Sequence, residues 1–103
     1  MSILITADTT CIIQGITGRE AVSITRECLD YGTRIVGGVT PGRGGRDVHG
    51  VPVYDTVEEV AKKTRVDASV ISVPPAFARD AAFEAIEAGV KLLVIVTENI
   101  PRF

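Results

Sequence analysis

Hydrophobic and polar positions along the chain form two patterns, short apolar runs and longer segments with helical spacing. The apolar runs are rich in β-branched side chains, as strands are. They lie at residues 11–14, 34–39, 51–54, 68–73 and 91–96. The run at 68–73 is apolar at nearly every position, which predicts a central strand covered on both faces. Pro52 cannot donate a backbone hydrogen bond to a neighbouring strand, so we expect the run at 51–54 to form an edge.

The first helical segment is predicted at about residues 18–31. Its apolar side is formed by residues at intervals of three and four: Val22, Thr25, Cys28 and Leu29. Gly32 follows directly and is the residue type that most often terminates a helix. The pattern therefore predicts one amphipathic helix between the first two strands.

Two further helices are predicted between the later strands. The second helix begins with a capping box, formed by Asp55 or Thr56 with Glu58 or Glu59, and its apolar stripe follows. The third lies at about residues 76–88 and is rich in small side chains, which lets a helix approach a sheet closely. One of its faces carries Ala78, Ala82, Ala85 and Ile86, and Gly89 is placed to end it.

Strands and helices alternate along the whole chain, which favours right-handed βαβ crossovers and a parallel sheet. We therefore predict one α/β domain over residues 1–103, a Rossmann-type sheet of about five strands with helices on both faces. The expected strand order is 3-2-1-4-5. A ligand would then bind at the carboxyl ends of the strands, near the point between strands 1 and 4 where the order reverses.

A glycine turn connects the first strand to the first helix, in the sequence GITGREA at residues 15–21. Gly15 can adopt a positive φ, Thr17 adds a hydroxyl, and Gly18 has no side chain to keep a phosphate from the backbone. The amide groups of the following helical turn would complete an anion site. The motif matches the dinucleotide fingerprint G-x-G-x-x-G/A only in part, so a purely structural turn remains an alternative.

The end of the second strand indicates which nucleotide would bind. NAD sites place an acidic residue there, but residues 35–39 contain none, and a glycine-rich loop with Arg43 and Arg46 follows. A cation near the ribose suits a ribose that carries a phosphate, as in NADP or coenzyme A. We expect Arg43 to contact the ligand. Arg46 lies beside Asp47 and is expected to be solvated.

Other residues at the same edge are candidate contacts. Val73, Pro74 and Pro75 follow strand 4 and could form a rigid apolar wall against an adenine or a pantetheine chain. Val96, Thr97 and Glu98 end strand 5 and would offer a hydroxyl and a carboxylate.

Histidine and cysteine residues are not expected to form a catalytic or metal site. His49 has no Ser, Cys or paired acid near it in sequence, so we predict a surface histidine and no catalytic set. Cys11 and Cys28 lack metal-ligand spacing and are predicted to be buried thiols.

Composition narrows the possible partners. The net charge of −2 argues against nucleic acid and anionic membrane as partners of the whole molecule. No apolar run approaches the length of about 20 residues that a membrane-spanning helix needs. No targeting sequence is recognisable, which predicts a cytoplasmic location, or an organellar matrix after removal of a transit peptide.

Several blocks of the sequence resemble the amino-terminal domain of the succinyl-CoA synthetase α subunit. The blocks are SILI at 2–5, QGITG at 14–18, GGVTPGRGG at 37–45, GVPV at 50–53, ASVI at 68–71, EAIEAG at 84–89 and TENIP at 97–101. The resemblance extends over essentially all 103 residues and implies a CoA-binding Rossmann-type domain. The positions that match the family's coenzyme-binding residues are Thr17, Gly18, Arg19, Glu20, Arg43, Val96, Thr97 and Glu98.

The chain departs from the family pattern at several positions. The family usually has small or neutral polar residues where Arg19 and Glu20 stand, lysine at position 43 and glycine at position 99. Full-length relatives continue into a second domain with a phosphorylated histidine and pair with a β subunit, and His49 does not match that histidine. The resemblance thus implies the CoA-binding part of an acid–CoA ligase. A stand-alone module that binds CoA or acyl-CoA and an NADP-binding domain are the alternatives.

Overall fold

The computed structural model describes residues 9–96, which form six strands and three helices. In chain order the elements are β1 (Thr10–Gln14), α1 (Arg19–Asp30), β2 (Arg34–Val39), β3 (Asp47–Val48), β4 (Val51–Tyr54), α2 (Val57–Lys63), β5 (Ala68–Ser72), α3 (Pro75–Glu87) and β6 (Leu92–Val96). In these residues no helix has the length and apolar character needed to cross a membrane.

The strands form one sheet in the order β3-β4-β2-β1-β5-β6. All neighbours are parallel except β3 and β4, which are antiparallel. The five strands predicted from sequence have the predicted order, and β5 lies in the interior of the sheet as expected. The chain is thus an α/β protein with a Rossmann-type sheet.

The short strand β3 was not predicted, and the edge position expected for Pro52 is wrong. Asp47 pairs with Pro52 and Val48 with Val51, so β3 lies outside β4. His49 and Gly50 connect the two strands with φ of 50° and 86°. Positive φ at both loop residues is typical of a tight two-residue hairpin, and a strand of two residues is too short to produce a recognisable periodicity.

Hydrophobic cores lie on both faces of the sheet because successive strand residues point to opposite sides. One core joins the sheet to α2 and α3 through Ile12, Val39, Val57, Val60, Val66, Ala85 and Val90. The other joins it to α1 through Ile13, Ile16, Ala21, Val51, Val53 and Val70. The prediction of helices on both faces is confirmed.

Local signals placed most helix ends correctly. Thr56 caps α2, and its side chain and that of Glu59 form the predicted capping box. Gly32 has a φ of 85° after α1, and Gly89 has a φ of 93° after α3. The buried face of α3 was predicted less well: Ala85 is fully buried, but Ile86 is 55% exposed.

Both cysteines are free thiols. Cys11 is fully buried in β1, and burial raises the pKa of its thiol to about 11. Cys28 is partly buried on α1, and burial again raises its pKa. Burial lowers the thiolate fraction at neutral pH. The prediction of a buried thiol is confirmed for Cys11, whereas Cys28 is only partly buried.

Candidate functional site

A cleft of about 490 Å³ opens at the carboxyl edge of the sheet. Its walls come from three parts of the chain: residues 14–18 after β1, residues 39–41 after β2, and residues 72–84 at the end of β5 and on α3. β1 lies between β2 and β5, so the cleft lies where the strand order reverses. This is the usual ligand position in open α/β sheets and the position predicted from sequence.

Gly15 shapes the floor of the cleft. Its φ of 83° lies in the region that favours glycine. A side chain here would also collide with the carbonyl oxygen of Ser72 and lie 2.7 Å from Val73 Cγ1. The backbone N–H of Gly15 donates to Val39 O at 2.6 Å, which ties the turn to β2. Both the backbone conformation and the close contact with β5 therefore require glycine.

Gly18 differs from Gly15 because its own backbone does not require glycine. It is the N-cap of α1 and has φ −69° and ψ 154°, which any residue can adopt. A Cβ at this position would have one close neighbour, Gly15 O at 3.3 Å, and would otherwise project into open space. Gly18 also supplies no side-chain acceptor to the amide groups of the first helical turn. These features leave room for a ligand beside the helix N-terminus.

Thr17 is held by a direct contact with Thr40, which follows β2 and also lines the cleft. The backbone N–H of Thr17 donates to Thr40 Oγ1 at 3.3 Å, and Thr17 Oγ1 lies 3.1 Å from the same oxygen. The hydroxyl of Thr17 was predicted to be a ligand donor, but here it is already engaged with another hydroxyl. Thr40 was missed by sequence reasoning, because its pairing with Thr17 depends on the parallel alignment of β1 and β2.

Gln14 holds the wall formed by α3. Its side chain is 2% exposed and donates from Nε2 to Ala81 O at 2.9 Å. Ser69 Oγ donates to Gln14 Oε1 at 2.6 Å. Both ends of the amide are therefore satisfied, and the side chain fixes α3 relative to β1 and β5.

One face of α3 carries two carboxylates into the cleft wall. Phe77, Asp80, Ala81 and Glu84 follow one another at helical spacing and all line the cleft. Glu84 Oε2 also accepts a hydrogen bond from Val57 N at 2.8 Å, at the start of α2. This face was not predicted because only the alanine-rich side of the helix was considered. The intervals of three and four residues between Phe77, Asp80, Ala81 and Glu84 could have indicated it.

The glycine-rich loop at 40–46 is anchored by Asp55. Asp55 Oδ1 accepts hydrogen bonds from Gly42 N at 3.0 Å and from Gly44 N at 2.9 Å. Arg43 lies between these two glycines, and its backbone N–H donates to Thr40 O at 3.0 Å. The side chains of Arg43 and Arg46 are exposed and have no polar partner within residues 9–96. Both guanidinium groups are therefore available to an anion.

The predicted site residues fall into separate groups. Gly15, Thr17, Gly18 and Pro74 line the cleft. Arg19, Glu20 and Val96 instead line a separate depression of about 610 Å³ that runs along α1. Arg43 lines neither. Thr97 and Glu98 lie outside the described residues.

Comparison with protein families gives one match that covers most of the chain. The model of the CoA-binding domain family matches residues 6–99. The chain belongs to this family. The match includes all three walls of the cleft and the loop that carries Arg43.

Relatives of this CoA-binding domain are similar along their shared length. The chain is 53% identical over 103 residues to succinate–CoA ligase (ADP-forming) subunit alpha 1 of Archaeoglobus fulgidus, covering 100% of this chain and 35% of that protein. It is 56% identical over 99 residues to the corresponding alpha subunit of Methanothermobacter thermautotrophicus, covering 96% and 33%. The chain thus spans about a third of the length of these relatives, and the family resemblance noted in the sequence is confirmed.

Solved structures with a similar fold are more distant in sequence. RSP, a Rex-family repressor, superimposes with a TM-score of 0.75 at 22% identity, over 92% of this chain and 48% of RSP. A conserved hypothetical protein from Pyrococcus furiosus gives a TM-score of 0.70 at 27% identity, over 85% and 74% of the two chains. These likenesses support the Rossmann-type fold of the domain.

Proposed function

We propose that this chain binds coenzyme A in the cleft at the carboxyl edge of its sheet and serves as the coenzyme-binding part of a succinate–CoA ligase α subunit. The observation that carries the proposal is the match of residues 6–99 to the CoA-binding domain family. The open position at Gly18, in the turn before α1, supports it from the geometry. A side chain there would enter the space that a phosphate needs beside the helix N-terminus.

The charges around the cleft suggest how the coenzyme is oriented. Asp80 and Glu84 lie on the α3 wall, where they would repel phosphate groups. The N-terminal end of α1 lies on the opposite wall and favours negative charge. We therefore assign the pyrophosphate to the turn formed by Gly15, Thr17 and Gly18. Uncharged parts of the coenzyme would contact Pro74 and Phe77.

In this proposal the remaining predicted residues contact the coenzyme at the edges of the cleft. Arg43 is assigned to the 3′-phosphate, because its guanidinium is unpaired and it lies on the loop after β2. Arg19 and Glu20 would contribute through their backbone at the first turn of α1. Val96, Thr97 and Glu98 would form the far rim after β6.

The reaction itself belongs to the complete enzyme in this proposal. In a succinate–CoA ligase, succinate, CoA and a nucleoside triphosphate are converted to succinyl-CoA, nucleoside diphosphate and phosphate. The alpha subunits that this chain resembles are about three times as long, and they are where we would place the phosphate-carrying group. We further propose that a β subunit binds the nucleotide. The part assigned to this chain is to bind and orient the coenzyme.

Isothermal titration calorimetry tests the proposal directly. The chain should bind CoA with a dissociation constant in the micromolar range, which corresponds to a binding free energy of about −8 kcal/mol. It should bind NAD and NADP far more weakly. NADP binding without any heat from CoA would contradict the proposal and favour a dinucleotide site. Binding of CoA at one site per chain would support it.

A further inference from the structure

Helix α3 exposes two large apolar side chains on a face that does not line the cleft. Phe83 is 52% exposed and Ile86 is 55% exposed, although Ala85 on the same helix is fully buried against the sheet. The cleft is lined by a neighbouring face of α3, which includes Asp80 and Glu84. Residues three apart on a helix are neighbours, so Phe83 and Ile86 form one apolar surface. An aromatic ring beside an aliphatic side chain on a surface is typical of a protein–protein contact.

Charged residues of opposite sign lie one helical turn to either side of Phe83. Arg79 precedes it by four positions and Glu87 follows it by four, so the three side chains form one row along α3. The guanidinium group of Arg79 lies over the Phe83 ring, 5.7 Å from its centroid. Arg79 and Glu87 are exposed, and neither has an ion-pair partner within residues 9–96. The row is therefore positive at one end, aromatic in the middle and negative at the other end.

This row is complementary to a second copy of itself in antiparallel orientation. In a dimer with two-fold symmetry, both subunits use the same surface. A two-fold axis at Phe83 would place the two phenyl rings against each other and Arg79 of each copy opposite Glu87 of the other. Rows of residues four apart are also the ridges through which packed helices contact each other. The charges on α3 thus favour a second copy of the chain as the partner of this face.

We propose that α3 is the interface of a symmetric homodimer in which a second copy of this chain covers Phe83 and Ile86. The two Phe83 rings form its apolar centre, and an Arg79–Glu87 pair on each side fixes the antiparallel alignment. One helix from each copy makes a small interface, so the dimer is weak, with a dissociation constant of about 10 μM. The interface is independent of the proposed function, since Arg79, Phe83 and Glu87 do not line the cleft.

Analytical ultracentrifugation over a concentration range on both sides of this value measures the association. The mass should rise from that of the 10.9 kDa monomer to twice that value. Phe83→Ser should weaken dimerisation about tenfold or more, because the apolar centre is lost. Arg79→Glu should weaken it about tenfold by placing two carboxylates opposite each other, and Glu87→Arg should do the same with two guanidinium groups. Circular dichroism checks that each variant is folded.

Mixing the two charge variants tests the antiparallel alignment directly. A chain with Arg79→Glu and a chain with Glu87→Arg are complementary at both pairs, so together they should form a heterodimer about as stable as the original dimer. The double variant in one chain should associate with itself again, because both pairs are only reversed. Arg26→Glu is the matched control, since it makes the same charge change at an exposed position on α1. It should leave the dissociation constant of the dimer unchanged.

Two results would overturn the dimer. A chain that remains monomeric at every concentration excludes a second copy and leaves the exposed face of α3 to a different protein. A dimer that neither charge variant weakens has its interface elsewhere, for example at the sheet edge formed by β6, where Ile95 is 50% exposed. Association that is lost in each single variant and regained on mixing would support the interface on α3.

Discussion

The two ends of strands β1 and β5 differ in how completely their polar groups are hydrogen-bonded. At the amino ends, Thr10 N donates to Asp67 Oδ2 at 3.1 Å, Thr10 Oγ1 donates to Arg65 O at 2.6 Å, and Asp67 N donates to Thr10 O at 2.9 Å. At the carboxyl ends, Gly18 leaves open space and Ser72 Oγ has no partner within residues 9–96. The same pair of strands is thus tied together by hydrogen bonds at its amino end and leaves open space and an unpaired hydroxyl at its carboxyl end.

This contrast shows how stability and binding are separated in a small domain. The amino end uses each polar group to connect strands that are far apart in sequence. The carboxyl end leaves the Ser72 hydroxyl unpaired and open space at Gly18, which costs stability and is the end to which we assign ligand binding. Substitutions at the amino end should therefore affect stability, whereas substitutions at carboxyl-end positions whose backbone accepts a side chain should affect affinity.

The largest expected loss of affinity comes from Gly18→Val. The backbone at Gly18 accepts a side chain, but the added methyl groups would occupy the space assigned to phosphate. CoA binding should weaken about a hundredfold or more, because the contacts of the helix N-terminus with phosphate are lost. Calorimetry and circular dichroism on the same sample measure affinity and fold together.

Gly15→Val provides the contrasting control for this experiment. A side chain at Gly15 collides with the end of β5 and requires an unfavourable φ, so this variant should lose its folded circular dichroism signal. Full affinity in a folded Gly18→Val variant would show that the turn serves only the fold.

Arg43→Ala should have the next largest effect, about a tenfold loss of CoA affinity. A charge-assisted hydrogen bond to the 3′-phosphate would be lost, and screening at this exposed loop limits its strength. Dephospho-CoA has no 3′-phosphate, so its affinity should hardly change. Raising the salt concentration should narrow the difference between the two ligands in the unchanged chain.

Arg46→Ala is the matched control for Arg43, because it removes an equally exposed guanidinium from the same loop. Its affinity for CoA should stay close to that of the unchanged chain. If both variants lost affinity for CoA and dephospho-CoA alike, the loop would support the shape of the site and the charge of Arg43 would have no specific role.

Asp55→Ala should reduce CoA affinity only about threefold, because Asp55 hydrogen-bonds the loop that carries Arg43 and is not assigned a contact with the ligand. The amide groups of Gly42 and Gly44 lose their shared acceptor, so the loop that carries Arg43 becomes less ordered. Faster hydrogen exchange at these two amides would report the change. Asp47→Ala is the control, because Asp47 accepts from Gly50 N in the neighbouring hairpin and should leave those amides unaffected.

Asp67→Asn should leave CoA affinity unchanged and lower stability. A hydrogen bond from the backbone N–H of Thr10, aided by the Arg65 charge, holds the pKa of the Asp67 carboxyl below its ordinary value of 3.8. Because the folded-state pKa is depressed, the stabilisation is complete above the unfolded pKa and is lost as the pH falls towards the folded value. Thermal denaturation from pH 6 to pH 3 should show a smaller difference between the chain and the variant at the acid end. A constant difference would contradict this pKa assignment.

Local patterns in the sequence determined most of the architecture. The alternation of apolar runs and helical segments predicts the α/β class, because chain-local periodicity decides which elements form. The usual doubly wound arrangement then predicts the order of the five strands. The capping box of Thr56 and Glu59 and the terminating Gly32 depend only on neighbouring residues, so their sequence signals were sufficient. The blocks shared with the succinyl-CoA synthetase α subunit predicted that the chain belongs to a family of CoA-binding domains.

Tertiary structure alone decided which residues share a site. Thr17 and Thr40 are separated by 23 positions, and Gln14 and Ala81 by 67, yet each pair is in hydrogen-bond contact in the lining of the cleft. The unpaired state of Ser72 likewise depends on what the turn after β1 and helix α3 leave uncovered. Periodicity reports the face on which a residue lies but not the distance to a residue on another element. The sequence predicted the position of the cleft, but the side-chain contacts that shape it and the unpaired hydroxyl could be recognised only after the strands were placed side by side.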